Sequence, residues 1–142
     1  MSGKYEALFS PIKIGNTKVK NRIAMMPMGV FSPRLMGSDG AYTEEGSDYY
    51  IERAKGGTGL IITGLVPIVK NPAFFILKDP ETYMKKTKYL TDGIHRYGGK
   101  IFIQLTALTG RTSHGDLFPA PAPIQNVWDP TQTNPGITKE EI

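Results

Sequence analysis

The sequence predicts an α/β fold with the spacing of the amino-terminal portion of a (β/α)8 TIM barrel, about three β/α units behind a small hairpin. Three short apolar runs, Ile23–Met26, Gly59–Thr63 and Lys100–Leu105, read as strands buried on both faces. Between them lie helical patterns at Thr43–Lys55 and Pro80–Tyr97, each closed by a glycine pair, Gly56-Gly57 and Gly98-Gly99. A helix between two buried strands is a crossover, and strands joined that way run parallel. The strands begin near residues 23, 59 and 100. Eight such units need about 320 residues, inside the range of that barrel. Residues 1–142 are therefore expected to form the amino-terminal part of a larger, apparently truncated barrel; a complete small α/β domain is the alternative.

In chain order, Ile12 and Ile14 alternate with polar neighbours, Gly15-Asn16 supplies turn chemistry and Val19 begins the return of a hairpin. Lys20-Asn21-Arg22 leads into the first core strand, and Pro27 stops it. Residues 30–42 carry the breakers Pro33, Gly37, Ser38, Asp39 and Gly40 and read as a loop. Thr43 is a capping residue, with Glu44 and Glu45 at the positive end of the helix and Ser47, Tyr50, Ile51 and Ala54 along one face. Gly64 closes the second strand, and residues 65–79 form a second loop. Its apolar group Phe74-Phe75-Ile76-Leu77 is expected to be packed under the loop rather than to line a pocket. Pro80 suits a first helical turn, and Tyr83, Thr87, Leu90, Ile94 and Tyr97 share one helix face. Thr106–Ile137 reads as a long loop, extended at Pro119–Pro123, and Thr138-Lys139-Glu140-Glu141 is a capping box opening another helix.

Composition narrows the function classes. A hydrophobic fraction of 39% with 10% aromatics belongs to a globular chain, and the absence of cysteine excludes disulfides and thiolate metal sites within it. The first residues lack the apolar centre of a signal peptide, and no run is long enough to cross a bilayer, so a cytoplasmic protein without a membrane partner is expected. The net charge of +4 is scattered. Lys85, Lys86 and Lys88 sit on a helix as a solvated face, and no recognition motif accompanies them, so no nucleic-acid partner is expected.

Three strand ends point to one rim: Met26-Pro27-Met28-Gly29, Thr63-Gly64-Leu65 and Gln104-Leu105-Thr106. In parallel α/β folds that rim binds ligands. Proline stiffens the exit of the first strand, and glycine admits a flat ligand close to the backbone. Gln104 carries a donor and an acceptor that can pair with a heterocycle edge, or can instead satisfy loop backbone.

The order of these pieces resembles the Old Yellow Enzyme family of FMN-dependent oxidoreductases. The resemblance is carried by Leu8-Phe9-Ser10-Pro11-Ile12-Lys13-Ile14-Gly15, by Lys20-Asn21-Arg22-Ile23 with Met26-Pro27-Met28, and by Arg53-Ala54-Lys55-Gly56-Gly57-Thr58-Gly59-Leu60-Ile61-Ile62-Thr63-Gly64. Tyr97–Leu105, Gly110-Arg111 and Thr138–Ile142 continue it, so that it covers nearly the whole chain. It is similar to the branch holding 2-enoate reductases, 2,4-dienoyl-CoA reductases and bile-acid or steroid reductases. The resemblance implies FMN at the carboxyl mouth of a barrel, NADH or NADPH as reductant, and hydride delivery to the C=C bond of an α,β-unsaturated carbonyl, enoate, enoyl thioester or steroid enone. It implies cofactor contacts from Met26, Pro27, Met28, Gly29, Leu65 and Gln104, with Gln104 on the flavin pyrimidine edge. It places the substrate-anchoring His/His or His/Asn pair, the tyrosine acid, the phosphate loops and any iron–sulfur cluster or FAD in parts absent from this chain, and it leaves room for a homo-oligomer. No catalytic residue and no metal ligand is expected here; His95 reads as a surface residue and His114 as a loop residue. Gly29 stands where the family often has Thr or Cys, Leu65 is bulkier than the usual Gly or Ala, and the segment before Gly110-Arg111 lacks the frequent histidine. A non-catalytic fragment and a small nucleotide-binding α/β domain are the competing readings.

Overall fold

A computed structural model describes residues 3–29, 32, 34–37, 40–67, 80–106, 111 and 120–141. A short helix, α1 (Glu6–Phe9), leads into the expected hairpin of β1 (Ile12–Ile14) and β2 (Thr17–Val19), paired antiparallel with Ile12 opposite Val19. Gly15 at its tip has φ +56°, a conformation that glycine adopts at little cost.

The central sheet holds β3 (Ala24–Met25), β4 (Leu60–Pro67) and β5 (Lys100–Thr106) in that order, parallel throughout. The crossovers carry α2 (Glu44–Lys55) and α3 (Pro80–Arg96), both packed on one face of the sheet. Thr43 caps α2 as expected, its hydroxyl accepting from Gly46 N–H at 3.0 Å. The core between helices and sheet is Tyr50, Ala54, Ile61, Leu90 and Ile94, with Met25, Ile51 and Ile101 against it. Burying each larger apolar side chain there contributes about 1.5–3 kcal/mol. In the last turn of α3, Gly93 has no room for a β-carbon, because the Ile51 side chain of α2 occupies that place.

At the amino ends of the strands, two side chains tie the chain entering β3 to the ends of both crossovers. Asn21 Nδ2 donates to Gly57 O at 2.8 Å while its Oδ1 accepts from Ile23 N–H at 3.1 Å. Lys20 Nζ donates to Tyr97 O at 2.7 Å.

Several expectations are corrected. The first core strand is paired only over Ala24–Met25, shorter than Ile23–Met26. Gly64 does not close the second strand, which runs on to Pro67. The strands are not buried on both faces: along β5, Phe102 on the face away from the helices is 36% exposed and Ile103 on the helix side 44%. The stretch after β5 is not wholly irregular, for β6 (Ile124–Gln125) and β7 (Thr133–Asn134) pair antiparallel, and Ala120 bridges to Gly136. That hairpin has a polar heart, in which Asn126 Nδ2 donates to Asn134 Oδ1 at 3.0 Å and Asn126 Oδ1 accepts from Trp128 N–H at 2.8 Å. The capping-box segment is a single 3-10 turn, Lys139–Glu141. Phe74–Leu77, His114 and Gly110 lie outside the described residues. Among the described residues no helix is long and apolar enough to cross a membrane.

Candidate functional site

Because β3, β4 and β5 are parallel, their carboxyl ends share one rim. Met25, Ile61 and Ile101 face the helices. Strand alternation therefore sends Ala24, Leu60, Ile62, Phe102 and Gln104 to the opposite, open face. Counted the same way from Ile61, Leu65 would point back at the helices. It does not, because β4 bulges. Ile62 pairs with Phe102 and Leu65 with Gln104, so Thr63 and Gly64 together oppose Ile103 alone. The extra residue turns Leu65 onto the open face beside Gln104 and returns Val66 to the helix side.

The exit of β3 closes in from the other side. A β-carbon on Gly64 would stand 2.5 Å from Met28 O and 3.1 Å from Gly29 Cα. Only glycine at 64 lets the two backbones come so near. The structure thus brings Met28, Gly29 and Leu65 to neighbouring strand ends, with Gln104 paired to Leu65 on the far side. Met26 is 65% and Met28 60% exposed, Gly29 and Gln104 are exposed, and Pro27 and Leu65 are half-buried. Gln104 donates its backbone N–H to Thr63 Oγ1 at 3.3 Å, and among the described residues its side-chain amide makes no hydrogen bond. The arrangement is an apolar plate with one free donor–acceptor amide, the chemistry needed to seat a flat heterocycle and read one edge of it.

Behind the plate, on the helix side, stands a set of hydroxyls. Tyr50 Oη accepts from Gly64 N–H at 3.2 Å and lies 3.4 Å from Tyr42 Oη, and the two rings meet edge to face at 5.2 Å. Burial pushes the Tyr42 phenol far above its ordinary range, and its contact with Tyr50 adds to that. Burial also raises Tyr83, partly offset by Thr87. Both phenols are neutral at physiological pH. His95 is exposed on α3, as expected, and Lys88 pairs with Asp92 at 2.6 Å on the solvated face. Among the described residues no group of three or more His, Cys, Asp or Glu is placed to hold a metal ion.

Sequence reasoning placed Thr63 at this rim but missed Phe102 and Tyr50 as parts of the arrangement. Alternation from Ile101 was a usable signal for Phe102. Nothing in the sequence pointed to a tyrosine hydroxyl reaching a strand amide fourteen residues away.

Residues 7–142 match the NADH:flavin oxidoreductase / NADH oxidase family. The chain belongs to that family. It is 36% identical to a cinnamate reductase of Clostridium sporogenes, over its whole length and 23% of the relative's. It is 34% identical to an NADPH dehydrogenase of Listeria welshimeri, over 95% of this chain and 40% of that protein. Family structures superpose on it: the old yellow enzyme homologue of Zymomonas mobilis at TM-score 0.71 and 27% identity, over 95% of this chain and 41% of that one. A 2-naphthoyl-CoA reductase complex reaches TM-score 0.77 over 97% of this chain and 23% of its own, at 24% identity, a likeness of fold. These neighbours are TIM barrels, and the parallel sheet with its crossover helices is part of such a barrel.

Proposed function

We propose that residues 1–142 are the amino-terminal part of an FMN-binding barrel, and that they form one side of the flavin site of an ene-reductase-type oxidoreductase. The observation carrying this is the free Gln104 amide beside Leu65 on an open apolar face at the carboxyl ends of parallel strands, in a chain of this family. FMN fits that set. Its ring system is flat and apolar in its body, and one edge alternates carbonyl and N–H groups that a glutamine amide can meet with both its donor and its acceptor. When bound, the flavin supplies hydride transfer from NADH or NADPH to the C=C bond of an α,β-unsaturated carbonyl compound.

In this reading Met26, Pro27, Met28 and Gly29 support the ring from the β3 side, and Leu65 from the bulge of β4. Gly64 keeps the two supports at backbone contact. Gln104 fixes the in-plane orientation. Gly29 offers no side-chain hydrogen bond to the ring, so tuning from that position is left to the backbone. The substrate class is an enoate, enoyl thioester or enone, with the 36% identity to a cinnamate reductase favouring an enoate. The reductant, cytoplasmic location and homo-oligomeric state belong to the same proposal. A cysteine-bound iron–sulfur cluster has no ligands in this chain, which has no cysteine.

The test is titration of FMN fluorescence with the purified protein that carries this chain, followed by anaerobic NADH or NADPH oxidation with cinnamate as acceptor. Quenching at a one-to-one ratio and cinnamate-dependent turnover are expected. FMN fluorescence unmoved by excess protein overturns the proposal.

A further inference from the structure

The bulge of β4 leaves a hydrogen-bonding problem that two side chains solve. Where Thr63 and Gly64 together face Ile103, the ladder cannot serve every amide. Gly64 N–H, buried, finds the Tyr50 hydroxyl of α2 at 3.2 Å. Gln104 N–H finds the Thr63 hydroxyl at 3.3 Å. Both hydroxyl residues are only 1% exposed and stand on the helix side of the sheet. Neither can touch a ligand on the open face. Yet the amides they hold belong to the residue before Leu65 and to Gln104 itself.

We propose that Tyr50 and Thr63 are positioning residues for the flavin ring: their hydroxyls hold the β4 bulge in the register that sets Leu65 and Gln104 side by side. This rests on the FMN reading of the open face. The sequence of effects is geometric. Without the Tyr50 hydroxyl, Gly64 N–H is buried without a partner, and the strand relieves this by shifting register or by opening to water. Either change rotates Leu65 away from Gln104. Without the Thr63 hydroxyl, Gln104 N–H loses its acceptor where β5 passes the bulge. Packing alone cannot supply these constraints, since a phenylalanine at 50 or a valine at 63 keeps nearly the same volume.

The experiment uses the protein that carries this chain, in wild-type, Tyr50→Phe, Thr63→Val, Thr63→Ser and Ile94→Val forms. Ile94→Val trims the same core at a side chain that touches no site amide. Amide hydrogen exchange is measured without flavin, and FMN affinity and reduction potential with it. Tyr50→Phe is expected to speed Gly64 exchange and Thr63→Val to speed Gln104 exchange, each by at least about tenfold, and each to weaken FMN about tenfold and move its potential. Thr63→Ser restores wild-type values, and Ile94→Val leaves FMN affinity and potential unchanged. If Tyr50→Phe does not fold, the Thr63→Val and Thr63→Ser pair decides. Wild-type affinity and potential in Thr63→Val overturn the inference, as does an Ile94→Val protein that loses FMN as strongly. No FMN uptake by the wild type overturns the functional reading, and this inference with it.

Discussion

Gln104 is a polar residue near the end of an apolar run on the expected ligand rim, and that position together with the family resemblance marked it in the sequence. Leu65 was placed at the rim by its position after the second strand, and the resemblance made it a cofactor contact; the face it points to was not legible. A period of two counted from Ile61 puts Leu65 under the helices, and only the extra residue at Thr63-Gly64 reverses that. A bulge leaves little trace in one sequence beyond a glycine, and glycine there read equally well as the end of the strand. Replacing Gln104 by leucine removes the amide and keeps the bulk. FMN affinity is expected to fall ten- to a hundredfold, about 1–3 kcal/mol, and the reduction potential to fall with it. Titration and potentiometry on the protein carrying this chain measure both, and unchanged values would assign Gln104 to the loop backbone.

At the level of elements, the helices were the most legible part. Capping at Thr43, the stripe through Tyr50 and Ala54 and the glycine stops all read directly from spacing. The contact between the helices did not. Gly93 sits inside α3, where glycine costs about 0.5–1 kcal/mol relative to alanine, and its use is the seat it gives Ile51. Gly93→Ala is therefore expected to destabilise by about 1 kcal/mol, overpacking outweighing helix propensity. Adding Ile51→Ala should recover part of that loss, so the pair is non-additive in urea melts. Additive losses would show that the two residues do not compete for space. The phenol behind the sheet predicts a pH dependence. Its folded pKa lies above the ordinary value of 10.0, so its contribution to stability is complete below about pH 10 and is lost as the pH rises beyond, where the unfolded chain ionises and the folded one resists. Urea midpoints should hold up to about pH 10 and fall above it, less steeply in Tyr42→Phe. An identical alkaline fall in the variant would remove Tyr42 as its cause.

For the molecule as a whole, the parallel order followed from three apolar runs separated by crossovers. The β6–β7 hairpin did not, because its interior is an asparagine pair, and buried asparagines in a Pro- and Gly-rich stretch have the composition of a solvated loop. The open face carries Met26 and Phe102 in solvent, and β3 and β5 are edges of the sheet among the described residues. The 142-residue chain alone is accordingly expected to self-associate, with a sedimentation coefficient and thermal midpoint that rise with concentration. A monomer whose melting is independent of concentration would show that the exposed face is tolerated as it stands.

The clasp made by Lys20 and Asn21 sets a timetable for synthesis. Asn21 needs a carbonyl 36 residues further on, and Lys20 one 77 residues further on. At about 5–20 residues per second, the ribosome delivers the first after roughly 2–7 s and the second after roughly 4–15 s. Until the first arrives, β3 has neither its partner strand nor either anchor. The nascent chain must hold its earliest core strand in waiting, and the sheet can only close around β4 once that strand arrives.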